Sequence, residues 1–374
     1  MRILQLNSAR KYIGEAAHTL NLTEALRRRG HNVWLGLRKN FETYNRATTR
    51  GLEPISFNMP HRWWPPQDMP DIRQIARLAR EHDIQIIHAH RGKDHWQATL
   101  AKKIYRLRAP VIRTRHVVTP LSSNVANRWL ARQTAALIVV SRAVEEDARR
   151  TEMYSKNLRF IPGGIDLDAF APASPEQKAA ARVRLSLKPD ALVAICVARF
   201  AIVKAHSLLL TAWKQVSEKL PAARLILVGA GQLMADNQAL ATSLGVSESV
   251  SFLGRRYDVD ELLNAADVGV LASIGSEGFS RAVLEYLAKA LPVVATRVGA
   301  IPDLIEDGTH GLLVAPKDVT GLSVALTRAL SASQSERQVW GRAARDKAAS
   351  GYGYDIWATA HENLYQSIIG NFRF

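Results

Sequence analysis

Two glutamates eight positions apart, Glu277 and Glu285, lie in the run SIGSEGFSRAVLEYLAKALPVVATRV that spans residues 273–298. A glycine-containing loop, Ser276-Glu277-Gly278, leads into an apolar periodicity. That periodicity predicts a helix over 279–290 with Phe279, Val283, Leu284 and Leu287 on its core face. Free backbone N–H groups and the positive end of the helix dipole would then face the loop, which is a setting for an anion. Glu277 falls just outside this helix and Glu285 two turns in, away from the apolar stripe. Glu285 has a bland alternative: a solvated helix carboxylate paired with Arg281 or Lys289, each four positions away.

A second pair of charges changes the weight of these readings. Arg199 and Lys204 follow the apolar strand of ALVAICVARF, so both cations fall at a strand's carboxyl end. Cations together with helix N-terminal amides suit a diphosphate, because they offset the charge that grows on it as a leaving group. Carboxylates suit sugar or ribose hydroxyls. The combination reads as a nucleotide-sugar site.

The elements that must position these groups repeat a β-α-β pattern, which builds parallel sheets. Arg2–Leu6, HNVWLGL, IQIIHAH, VIRTRH, ALIVVS and LRFIP are expected strands alternating with helices near Glu15–Arg29, Asp71–Glu81, Trp96–Arg108, Asn124–Ala135 and Arg142–Thr151. His90 and His116 end two of these strands, where open parallel sheets bind ligands, although a lone histidine is also often structural. The first loop holds Ile13-Gly14-Glu15, where Gly14 would allow either a simple turn or a close backbone approach. In PHRWWPP, two tryptophans between prolines cannot form a central strand; they read as a lid, an acceptor wall, a membrane-facing knob or a surface loop.

PGGIDLDAFAPASPEQ is turn-rich and reads as a linker. Its Asp166 and Asp168 are expected to be turn residues rather than a metal pair. Beyond it the alternation restarts: ALVAICVARF, helix His206–Leu220, ARLILVG with the turn Gly229-Ala-Gly231, helix Leu233–Leu244, VSFLG, helix Asp258–Ala266 and VGVLAS. Two doubly wound α/β domains facing a cleft follow, with divisions expected at 1–165, 166–350 and 351–374. The last segment is an amphipathic helix, YDIWATAHENLYQSII, expected to pack back on the first domain.

Composition bounds the rest. The chain has 374 residues, a length that implies two domains. Its one cysteine, Cys196, excludes a secreted disulfide scaffold or a structural zinc site and fits a reducing compartment. Neither a signal peptide nor an 18-residue apolar run is present, so a cytoplasmic chain, free or peripheral on the inner face of the membrane, is expected. The net charge of +16 is confined to residues 1–160, which hold 29 Lys+Arg against 13 Asp+Glu; the remainder is neutral. Such asymmetry implies a polyanionic partner: nucleic acid, an anionic membrane or a phosphorylated acceptor.

These residues resemble the retaining glycosyltransferases of family 4, which have the two-domain GT-B fold. The resemblance covers nearly the whole chain. Glu277 and Glu285 match the family's E-x7-E motif and ARFAIVK its G-R-L-x3-K; LILVGAG, ELLNAADVGVLAS, GAIPDLIEDGTHGLLV and PGGIDLDAF are also similar. The resemblance implies that Arg199 and Lys204 hold the diphosphate and Glu285 the ribose. It implies that Glu277 contacts the transferred sugar and phosphate, that the amides of Gly278 and Phe279 assist, and that His116 lines the sugar pocket. Gly229, Arg255 (near the base) and Ser280 complete the donor side, while Gly14, Glu15 and His90 fall on the acceptor side. Ala198, Ala205, Ser280 and Ala290 stand where the family often has glycine.

The implied reaction moves a hexose-type sugar, with retention and without a metal, from a nucleotide-diphosphate sugar, UDP-sugar above all. The acceptor would be a hydroxyl of a glycolipid or lipopolysaccharide-type glycan at an anionic membrane. A nucleotide-sugar epimerase of the same architecture is the rival enzyme. A nucleic-acid-binding protein using the basic half is the rival from another class, although no nucleic-acid motif supports it.

Overall fold

The computed structural model describes residues 1–61, 65–119, 121–275 and 277–371. Trp63 and Trp64 of the PHRWWPP run, and Ser276 of the glutamate loop, lie outside the described residues. The chain forms two compact units, Met1–Gly164 with Tyr354–Phe374, and Ile165–Gly353.

The first unit is built on seven parallel strands: β1 (Arg2–Asn7), β2 (Asn32–Arg38), β3 (Ile55–Phe57), β4 (Ile86–Ala89), β5 (Val111–Arg115), β6 (Thr134–Val139) and β7 (Leu158–Phe160). Their order is β3-β2-β1-β4-β5-β6-β7, so the winding reverses between β1 and β4. The central strands are buried along almost their whole length because helices cover both faces, and Gln5, Asn7 and His88 are buried with them. β3 and the polar helix Glu42–Thr49 were not anticipated. A three-residue strand and a helix with two buried residues leave almost no periodicity to read.

The C-terminal helix Tyr354–Asn371 belongs to this unit. Trp357, Leu364, Tyr365 and Ile368 enter a core with Ile3, Leu22, Ile86, Ile112 and Ile138. Arg29 and His31 fix its outer face through Glu362, at 2.8 and 2.7 Å.

The second unit has six parallel strands: β8 (Leu192–Val197), β9 (Ala223–Val228), β10 (Val250–Phe252), β11 (Val268–Leu271), β12 (Val293–Thr296) and β13 (Gly311–Val314). Their order is β10-β9-β8-β11-β12-β13, with the reversal between β8 and β11. One continuous core runs through it, with Trp213 and Tyr286 among its largest fully buried side chains. In the linker, Asp166 Oδ1 accepts from the N–H groups of Asp168 and Ala169, both at 3.1 Å, which is the expected turn role. A helix, Pro175–Arg184, starts inside the predicted linker behind a Ser174–Gln177 capping box.

Candidate active site

In the second unit the strand-end loops are stitched together by their backbones. Ala198 N–H donates to Val228 O at 3.0 Å, Phe200 N–H to Ala230 O at 3.2 Å and Gly229 N–H to Gly254 O at 2.7 Å. Gly229 is required here: a Cβ on it would lie 2.0 Å from the Ala198 carbonyl oxygen, and its φ is +148°. The loops that follow β8, β9 and β10 therefore hold fixed positions relative to one another. Arg199 is thrust outward by this arrangement, exposed and with no ion-pair partner among the described residues. Arg255, after β10, is also exposed.

Lys204 and Glu277 meet at the topological switch. A short 3-10 turn, Ile202–Lys204, follows β8 and is pinned to the loop after β11 by Ile274 N–H donating to Val203 O at 2.9 Å. The Lys204 ammonium forms an ion pair with Glu277 Oε1, and Ser273 Oγ donates to the same oxygen at 2.5 Å. Thr296 Oγ1 donates to the Ser273 carbonyl, so β12 braces that serine. The Glu277 backbone is clamped from the other side: Ala300 N–H donates to its carbonyl at 2.8 Å. A Cβ on Gly299 (φ +53°) would lie 2.1 Å from that same carbonyl oxygen. Glu277 is 3% exposed. A carboxylate so buried is stable only because the ammonium and the hydroxyl replace its water.

The helix after this loop is shorter than predicted, Arg281–Ala288 rather than 279–290. Gly278, Phe279 and Ser280 form the loop that precedes it, Gly278 and Ser280 buried and Phe279 half-buried. At its other end Ala290 takes a left-handed φ of +56°, and Leu291 N–H turns back to Tyr286 O at 3.0 Å. That is a Schellman stop built on alanine.

Glu285 departs from the solvated reading. Val283 to Ala288 are all buried, Glu285 is 5% exposed, and Arg281 Nε donates to it at 2.7 Å. Desolvation pushes its carboxyl above the usual range, against the pull of Arg281. Lys289 bonds Asn264 instead.

The residues assigned to the acceptor side lie in the first unit, at the carboxyl ends of β1, β4 and β5. Gly14 opens the helix Gly14–Arg28, and open space surrounds the place of its missing side chain. Glu15 pairs with Arg91, and burial raises its carboxyl pKa. His90 is 2% exposed, stacked on His88 at 4.2 Å, with its Nε2 2.6 Å from Gln5 Oε1. His116 is half-buried beside it and is held neutral by burial and by the nearby Arg113 and Arg91, its pKa pushed to about 3.

Sequence reasoning missed Ser273, Thr296 and Gly299, which position Glu277, and His18, which joins His90 and His116. Only Gly299 carried a local signal, as the glycine of a strand-to-helix turn.

Two Rossmann-like units of parallel sheet make up the GT-B fold. Among solved structures, the chain is similar to Anabaena HepE in complex with UDP and glucose, at TM-score 0.86 and 21% identity, covering 98% of this chain and 100% of that one. Residues 191–332 match the model of the glycosyl transferases group 1, and residues 14–169 that of Glycosyltransferase Family 4. A putative glycosyltransferase, EpsD of Bacillus subtilis, is 29% identical over 69% of this chain and 71% of its own length. The N-acetyl-alpha-D-glucosaminyl L-malate synthase of Bacillus anthracis is 25% identical over 82% and 81%. The chain belongs to the group 1 glycosyltransferases of family 4. It is an enzyme that transfers a sugar from a nucleotide-sugar donor.

Proposed function

We propose that this enzyme moves a hexose from UDP-sugar to a hydroxyl of a phosphorylated glycan or glycolipid at an anionic membrane surface, with retention at the anomeric carbon and without a metal. The observation that carries the donor half is the buried Glu277–Lys204 pair at the second unit's switch point, with exposed Arg199 on the same strand-end loop. A β-phosphate entering there would replace part of Glu277's hold on the ammonium, and Arg199 would add a planar fork of donors. Both cations stabilise the diphosphate as its negative charge grows on bond cleavage. In this reading Glu285, held in shape by Arg281, would accept ribose hydroxyls, and Gly278, Phe279 and Ser280 would face the phosphates. UDP is favoured as the nucleotide because the HepE structures hold it.

The acceptor half rests on charge. Arg10 follows β1, and Arg38 and Lys39 end β2 beside it. Both guanidinium groups lie over the Phe41 ring, at 5.1 and 4.7 Å. Arg38 Nε is buried with no hydrogen-bond partner among the described residues. Crowded, underused guanidinium donors at a strand-end rim suit a phosphate on the acceptor.

The test is turnover with purified variants. Glu277→Ala and Lys204→Ala should each lower transfer at least about a hundredfold, as lost transition-state contacts. Proton NMR of the product should show the donor's anomeric configuration, and EDTA should not lower the rate. Near-normal turnover in both variants sinks the site assignment.

A further inference from the structure

We propose that His18, His90 and His116 form a three-imidazole site for a divalent transition metal of the zinc type, built on the first unit and reached from the His116 side. One ring nitrogen from each lies within 4.8 Å of the other two. His90 Nδ1 and His116 Nε2 are 3.4 Å apart. Ligands at the 2.0–2.1 Å of a zinc–imidazole bond, in a tetrahedron, stand about 3.4 Å from one another, so this edge already has the length the metal requires.

The other His90 nitrogen faces Gln5 Oε1 at 2.6 Å, and Gln5 is fully buried. A carbonyl oxygen there draws the proton to Nε2 and leaves the Nδ1 lone pair aimed at His116, the role outer-shell acceptors play in metal sites. His18 Nε2 is buried and has no hydrogen-bond partner among the described residues, on a side chain 8% exposed. Its ring centroid is 4.6 Å from that of His116. An unpartnered buried imidazole nitrogen beside two other imidazoles is what a cation would satisfy.

The rings come from three separate elements: the helix Gly14–Arg28, the residue after β4 and the residue after β5. Burial holds all three imidazoles in the neutral form a metal needs. Arg91 and Arg113 act on His116 and oppose a cation, while Glu15 and Asp94 lie close enough to Arg113 to offset part of its charge. Among the described His, Cys, Asp and Glu side chains no fourth joins the three, which leaves the remaining position to water.

The resemblance to family 4 implies that His116 lines the sugar pocket; on that reading a metal held there would inhibit transfer, whereas the binding itself does not depend on it. Tag-free full-length enzyme, stripped with EDTA, is titrated with cobalt(II) and with zinc against a chromophoric chelator. The expected result is one metal per chain with the visible bands of tetrahedral cobalt, and at least about tenfold weaker binding in His18→Asn and in His116→Asn. Melting curves without metal confirm that the variants fold, and half-buried His116 is the more tolerant position. Absence of cobalt bands, or zinc affinity in both variants equal to that of the native enzyme, overturns the site. Binding lost in the variants without zinc inhibition of the native enzyme retains the site and removes His116 from the sugar.

Discussion

At the scale of single residues, the proposed donor site holds a group that costs stability. Glu285 is a buried carboxylate whose desolvation outweighs its attraction to Arg281, so its folded pKa is raised. A raised acid binds its proton more tightly when folded. Its destabilising effect is therefore absent well below the unfolded pKa of about 4.3 and grows as pH rises through the interval up to the folded value. Glu285→Gln should thus raise the thermal midpoint at pH 7, with the gain shrinking as pH falls and vanishing only well below the unfolded pKa, while donor affinity falls. A variant melting below the native enzyme at pH 7 would contradict this balance. Sequence spacing singled out Glu277, Glu285, Arg199 and Lys204, and left a solvated carboxylate as the alternative for Glu285, whose side chain is buried. It could not foresee Lys204 bonded to Glu277. Those facts depend on β8 and β11 lying side by side, which is a property of strand order and has no local signature. His18 was hidden for the same reason: on its own helix it is one more buried position, and only the sheet carries it to His90 and His116.

At the scale of elements, the apolar alternation made most strands and helices legible, and the errors gather at their ends. The helix after the glutamate loop was drawn two residues too long on each side. Alanine at position 290 reads as a helix former, whereas here it occupies the left-handed position of a Schellman stop. A Cβ in that conformation costs roughly 1 kcal/mol relative to glycine. Ala290→Gly should stabilise the second unit by about 0.5–1 kcal/mol, raising its melting temperature by roughly 1–4 °C. Calorimetry of the variant checks this, and a lower midpoint would mean that the methyl's packing outweighs the strain. Short β3 and the helix Glu42–Thr49 were illegible because each is held by neighbours rather than by its own pattern.

At the scale of the molecule, charge and chemistry are divided between the units. The whole excess of +16 lies in residues 1–160, and the buried Glu277–Lys204 pair lies in the second unit. Among the described residues no helix is long and apolar enough to cross a membrane; the proposed attachment to a bilayer is argued from that charge. Each basic group near an anionic surface adds about 1 kcal/mol, screened by salt. Flotation should recover more protein with anionic than with neutral vesicles, and high salt should erase the difference; equal recovery removes the membrane from the account. The central claim, that the second unit grips a nucleoside diphosphate through Arg199 and Lys204, is tested most directly by calorimetric titration with UDP. The account predicts one UDP per chain, and at least about tenfold weaker binding when exposed Arg199, which has no ion-pair partner among the described residues, is replaced by alanine. Native enzyme that binds no UDP, or an Arg199→Ala variant that binds it equally well, would contradict it.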